Sequence, residues 1–222
     1  MVEVIESTPL SPQTLIVTWN SVLEGLDRYS FFQTPRWSTM LESALPGIRP
    51  AHHWFRFSDG AEAVFPLFLI PKRWGIAKWE SLPWGTYGGL IGNRVFTVDH
   101  LRAAVAQILT IRTPRCEITL APLQGGEGIS GEDARFPGFS VRRSFTHILE
   151  LSPSFEEIWS NRFQSRNRTV IRRARERGVT VTTSNRDDAV QSMKTLYALA
   201  AQRWEGVETI PLCFFDTLAG MP

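Results

Sequence analysis

With 222 residues, 43% of them apolar and 21% charged, the chain can fill one large globular domain or two small ones, which excludes a disordered polypeptide. A formal net charge of only +2 excludes a molecule that is polybasic throughout, so any electrostatic recognition depends on where the charges lie. The cysteines Cys116 and Cys213 have no CxxC spacing, no secretory leader opens the chain, and the longest apolar run, 63–70, contains Pro66 and is too short for a bilayer; a cytoplasmic protein without a transmembrane segment is expected.

The chain opens with a strand near Glu3–Ile5 and a helix-like stretch around Leu15–Leu26. A second helix is predicted after Gln33, with Thr34 as its cap, Pro35 in the first position, and Trp37, Met40, Leu41 and Ala44 at helical spacing; Pro46-Gly47 ends it. His53, Phe55 and Phe57 then alternate, Ser58-Asp59-Gly60 supplies a turn, and 63–70 returns as an apolar strand. A Trp-, Gly- and Pro-rich loop is expected over 71–92, an amphipathic helix over 98–111, a strand over 117–120, a Gly-rich excursion over 124–138 and a strand over 144–151.

Beyond this point the pattern changes. Ser154 and Glu157 read as a capping box opening a helical region that runs to Arg177, with Gly178 as its stop. Residues 179–183 alternate like a strand, and 187–204 repeat like a helix. Helices and strands mix without a strict βαβ order, so the expected class is α/β or α+β, with a mixed sheet flanked by helices.

The segment 162–177 holds seven arginines against the single acid Glu176. Arg168, Arg172 and Arg175 share one helix face, and Arg166, Arg173 and Arg177 another, with Val170, Ile171 and Ala174 between them. A guanidinium matches phosphate oxygens and stays charged at any working pH, so this helix suits a diphosphate, a coenzyme or an RNA backbone. The alternative is a solvated basic helix paired with acids elsewhere in the fold.

In Ser81-Leu82-Pro83-Trp84-Gly85-Thr86-Tyr87-Gly88-Gly89, the glycines permit close backbone approach to a ligand and Tyr87 offers a ring with a hydroxyl; a tight turn entering a strand explains the same residues. Lys72, Arg73, Trp74, Lys78 and Trp79 mix cations with indoles, which suits either a transient membrane-surface contact or a packed loop. Gln124-Gly125-Gly126-Glu127-Gly128 lacks the first glycine and the following helix of a coenzyme A pyrophosphate loop. His52, His53, His100 and His147 show no metal-ligand spacing, and no metal is expected. Spacing alone identifies no catalytic acid, base or nucleophile.

Four blocks carry a resemblance. Phe31-Phe32-Gln33-Thr34-Pro35-Arg36-Trp37, then Ser81-Leu82-Pro83 with Tyr87-Gly88-Gly89, then Arg166-Asn167-Arg168 with 171–179, and finally Arg203-Trp204-Glu205-Gly206 with Phe214-Phe215 resemble, in order, motifs of the FemAB-like peptidoglycan-bridge transferases. Leu41 stands where those enzymes often carry a lysine, and Trp204-Glu205 follows Arg203 in place of Asp-Gly.

The resemblance implies two acetyltransferase-like (GNAT-type) domains, the first over 1–150 and the second over 151–222. The second is expected to be truncated, lacking on the order of a hundred residues and exposing apolar helix faces after 154. It further implies transfer of an acyl or aminoacyl group to an amine of a cell-envelope precursor or related acceptor, a small molecule or a muropeptide-type compound. No cofactor is held permanently; acyl-coenzyme A or aminoacyl-tRNA is the donor. Arg166, Arg168, Arg172 and Arg203 are expected to hold phosphate and Tyr87 to line the cleft. The other reading of the arginines is a non-catalytic RNA- or phosphate-binding module built on 162–177.

Overall fold

A computed structural model describes residues 2–24, 26, 29–71, 77–84, 86–92, 94–109, 116–121, 140–142, 145–184, 187–206 and 209–221. The expected Gly-rich excursion over 124–138 lies outside these residues, as do Lys72, Arg73 and Trp74. The chain forms two compact units, Met1–Val141 with Met193–Pro222, and Arg142–Ser192. Residues 193–222, expected to continue a second domain, thus belong to the first unit.

The first unit is mixed α/β, with two four-stranded sheets flanked by helices. Its strands are β1 (Val4–Pro9), β2 (Arg49–Pro50), β3 (His53–Phe57), β4 (Glu62–Phe65), β5 (Phe68–Pro71), β6 (Ala77–Ser81), β7 (Ile91–Gly92) and β8 (Cys116–Ile118). One sheet runs β1-β3-β4-β7 and is antiparallel throughout; the other runs β2-β5-β6-β8, with β6 and β8 parallel. The segment 71–92, expected to be loop, therefore contains two strands. A parallel pair needs a crossover connection, and the chain between β6 and β8 carries the helix α3 (Val98–Leu109).

A single bent hairpin joins the two sheets. Arg49 pairs with Leu69, Pro50 with Phe68, His53 with Phe65 and Trp54 with Val64, one continuous antiparallel register. The expected strand over 63–70 is thus one strand with a kink, because Pro66 has no N–H to give the ladder. Two histidines close the gap. Leu67 N–H donates to His52 Nδ1 at 3.0 Å, and His53 Nδ1–H donates to the Ala51 carbonyl at 2.9 Å.

Helix α1 (Pro12–Leu23) begins three residues before the expected start, since Ser11 and Thr14 form a capping box and Pro12 takes the first turn. Leu15, Trp19, Val22 and Leu23 give it an inward stripe against Val64 and Ile91. Helix α2 (Pro35–Ala44) starts as predicted, with Thr34 Oγ1 accepting from Trp37 N–H. The opposite faces of the strands carry Phe55, Phe57, Phe65 and Trp79, packed with Leu101, Ala104, Val105 and Ile108 of α3. Each large apolar side chain buried here contributes roughly 1.5–3 kcal/mol.

Among its described residues, the regular structure of the second unit is helical. The helical region expected to reach Arg177 consists of two helices, α4 (Phe155–Asn161) and α5 (Ser165–Glu176), and α6 (Asp187–Ala201) opens in this unit. Ser154 caps α4 through Glu157 N–H. Gly178, at φ +79°, ends α5: its N–H donates to Arg175 O and Val179 N–H donates to Ala174 O, which is the Schellman pattern.

The strands expected over 144–151 and 179–183 are not formed among the described residues, 145–151 and 179–183. Alternation creates a face, but a strand also needs a neighbour to take its N–H and C=O groups, and no described segment pairs with these. Phe145 and Val181 stand 98% and 93% exposed, and Leu196 of α6 65% exposed, so apolar exposure beyond residue 144 is extensive.

Candidate functional site

Three of the four motif blocks meet in the first unit. The ring of Phe32 packs edge-on to Trp37 at 5.0 Å and to Tyr87 at 6.2 Å. Trp37 and Trp84 both meet Phe214, at 6.1 and 5.6 Å. From Phe214 the contacts pass through Phe215 to Tyr197 and on to Trp204, the neighbour of Arg203. Helix α7 (Cys213–Ala219) lies against α2 to make this possible. The indole N–H groups of Trp37, in this cluster, and of Trp79, in the α3 core, are buried without an acceptor among the described residues.

The floor beneath the cluster is the β2-β5-β6-β8 sheet. Phe68, inside the cluster, is paired with Glu80, and Ile70 with Lys78, so the charged residues share its sheet face. Lys78 Nζ lies 2.6 Å from Glu80 and 3.4 Å from Glu117 on the adjoining strand. Burial acts to lower the Lys78 pKa, but the two carboxylates outweigh it and hold the ammonium above its ordinary value. The result is a permanent cation between two carboxylates, half-buried beside aromatic rings. The sequence signal was the alternation of Lys78 and Glu80 around the inward Trp79, concealed in a stretch read as loop. Trp79 is buried and Lys78 paired, which removes both from the suggested membrane-surface contact.

The loop from Ser81 to Gly89 is drawn tightly over this floor. Gly89 N–H donates to Ser81 Oγ at 3.0 Å, and Gly88 N–H to Thr119 O at 2.7 Å. A Cβ on Gly88 would lie 2.1 Å from Ser81 Oγ, so packing within the fold accounts for that glycine. Leu82 and Trp84 hold left-handed φ of 54° and 62°, a conformation that costs a side-chain-bearing residue roughly 1–2 kcal/mol.

Arg166, Arg168 and Arg172 belong to the second unit, Tyr87 and Arg203 to the first. Arg168 folds back to donate to the carbonyls of Trp159 (3.2 Å), Ser160 (3.0 Å) and Phe163, filling acceptors that the end of α4 leaves open. Arg166, Arg172, Arg173, Arg175 and Arg177 are exposed, and no acid pairs with them among the described residues. Arg203 is likewise exposed.

Two constellations resemble nucleophile–base pairs and are structural. Ser38 Oγ lies 2.7 Å from His52 Nε2, but Nδ1 already accepts Leu67 N–H, so the neutral ring carries its proton on Nε2 and donates it to the serine. Desolvation, with the adjacent His53, lowers the His52 pKa to about 3. In the other, His100 Nδ1 takes Thr97 N–H at the start of α3, while Nε2 meets Asp59 at 3.1 Å, tying the hairpin tip to that helix. Backbone donation from Ala61, followed by His100 and Arg94, holds Asp59 below the ordinary carboxylate range. Both cysteines are free thiols, and the described residues contain no cluster able to hold a metal ion and no helix long and apolar enough to cross a membrane.

No family model, curated protein or solved structure matches the chain.

Proposed function

We propose that the protein is an N-acyltransferase related to the FemAB-like enzymes, with acetyltransferase-like architecture. It would move an acyl or aminoacyl group from acyl-coenzyme A or aminoacyl-tRNA to an amine of a cell-envelope precursor. The observation that supports this reading is the meeting of Phe32 and Trp37, Tyr87, and Trp204 and Phe214 in one cluster, although the blocks they come from are far apart in sequence.

The acceptor nitrogen attacks the ester or thioester carbonyl; a C–N bond forms as the C–O or C–S bond breaks. The ammonium proton passes to a carboxylate, a role assigned to Glu80, and the leaving oxygen or sulfur is protonated in turn. The ion pair with Lys78 holds Glu80 in position. Positioning by Tyr87 and the surrounding rings supplies much of the remaining rate.

The test incubates the full chain with labelled acyl-coenzyme A or aminoacyl-tRNA and a series of muropeptide-type and simple amine acceptors, and follows product by mass spectrometry. Product that is lost on Glu80→Gln is expected. No product with either donor, and no thermal shift with coenzyme A or uridine-diphosphate muropeptides, refutes the reading.

A second reading, a phosphate- or RNA-binding module without catalysis, draws on the exposed arginines of α5, which no described acid neutralises.

A further inference from the structure

We infer that the second unit carries a binding surface for single-stranded nucleic acid, on which a base stacks against Phe155 while Arg172 and Arg175 hold the backbone phosphates. The inference deepens the second reading above and rests on its phosphate-binding half.

An aromatic ladder supplies the first observation. Phe155, Trp159 and Phe163 follow one another at i, i+4 and i+8 along α4 and its exit. Phe155 and Trp159 stack at 5.9 Å with 26° between their planes, and Trp159 and Phe163 lie 5.2 Å apart at 38°. Ile158 takes the buried side of α4, while Phe155, the outermost ring, is 62% exposed. A large flat ring, backed on one side by an indole and open on the other, is a platform for another flat π-system.

Charge is the second observation. Residues 142–192 contain ten arginines and six acids, a surplus of four positive charges in a chain whose total is only +2. Four of those acids sit in the first turns of α4 and α6, where they complement the helix dipoles: Glu156, Glu157, Asp187 and Asp188. On α5, Arg166, Arg172, Arg173, Arg175 and Arg177 are exposed and pair with no acid among the described residues.

The third observation joins the other two. Arg168 clamps the Trp159, Ser160 and Phe163 carbonyls, which fixes the start of α5 against the end of the ladder. Arg172 and Arg175 continue along the face of α5 from which Arg168 reaches the ladder, so rings and guanidinium groups are offered by adjoining elements of the same unit. An acidic protein segment would use the arginines and leave the rings idle. A duplex would offer phosphates but keeps its bases inside the stack. A single strand presents both groups at once, and with stacking as its readout the surface tolerates many sequences.

Fluorescence anisotropy of the full chain with a labelled, mixed-sequence strand of about 12 nucleotides tests this. The same sequence as a blunt duplex, and polyglutamate as competitor, complete the assay. Binding that prefers the strand over the duplex and over polyglutamate is expected. Phe155→Ala, at an exposed position, should weaken strand binding about tenfold without changing its salt dependence, and Phe155→Tyr should restore it. Removing Arg172 or Arg175 should each lower the slope of log K against log salt by about 0.7 and leave the stacking effect in place. Equal binding of strand and duplex, or an unaltered affinity of Phe155→Ala, overturns the inference while leaving phosphate binding intact. Failure to bind any polyanion at low salt overturns the second reading with it.

Discussion

The kinked hairpin gives a quantitative test through pH. His52 is fully buried and neutral, with a pKa near 3 against 6.5 in the open chain. Between those values the unfolded state binds a proton that the folded state refuses, so stability rises with pH and is lost on acidification through this window. From pH 7 to pH 4.5 the expected loss from this one ring is roughly 2–3 kcal/mol. His53 is lowered too, chiefly by burial, and Asp59 is held low, so both add to acid sensitivity in the same direction. The variant His52→Asn isolates the contribution of His52: its amide oxygen can still take Leu67 N–H, but it has no proton to gain. Urea unfolding followed by tryptophan fluorescence should give a variant that is less stable at neutral pH, by roughly 1–3 kcal/mol for the altered Ser38 contact. Acidification to pH 4.5 should then cost the variant roughly 2–3 kcal/mol less than the wild type. Equally steep acid sensitivity in both proteins would refute the assignment of His52 as the neutral lace of the kink.

Two glycines test the local arguments. Gly88→Ala brings a methyl to 2.1 Å from Ser81 Oγ and 2.8 Å from its carbonyl, so the loop must shift. A loss of several kcal/mol, roughly the 1–3 kcal/mol of overpacking plus a broken Gly88 N–H bond, should appear in chemical denaturation, and wild-type stability would disprove the loop geometry. Gly178→Ala meets no atom within 4 Å but must hold φ at +79°, so a smaller loss of about 1–2 kcal/mol is expected. That loss should show as faster amide exchange near the end of α5 alone; unchanged exchange there would disprove the left-handed stop.

Several elements are encoded locally and could be read from the chain alone. Thr34-Pro35 set the start of α2, Ser154 capped α4, Gly178 stopped α5, and alternation in 53–57 followed by Ser58-Asp59-Gly60 gave the hairpin. Each depends on side chains bonding their own backbone or on a steric rule within a few residues. The arginine row is legible in the same way, because helical spacing alone decides which residues share a face. Only the tertiary structure decided what those elements meet. Pro66 turns one strand into a bridge between two sheets, and His52 and His53, unremarkable in sequence, supply the missing bonds. Lys78, Glu80 and Glu117 come together through a parallel strand pair joined across a helix. Residues 145–151 and 179–183 have strand patterning without strands, since a strand's hydrogen bonds belong to a neighbour and no residue can encode that partner alone.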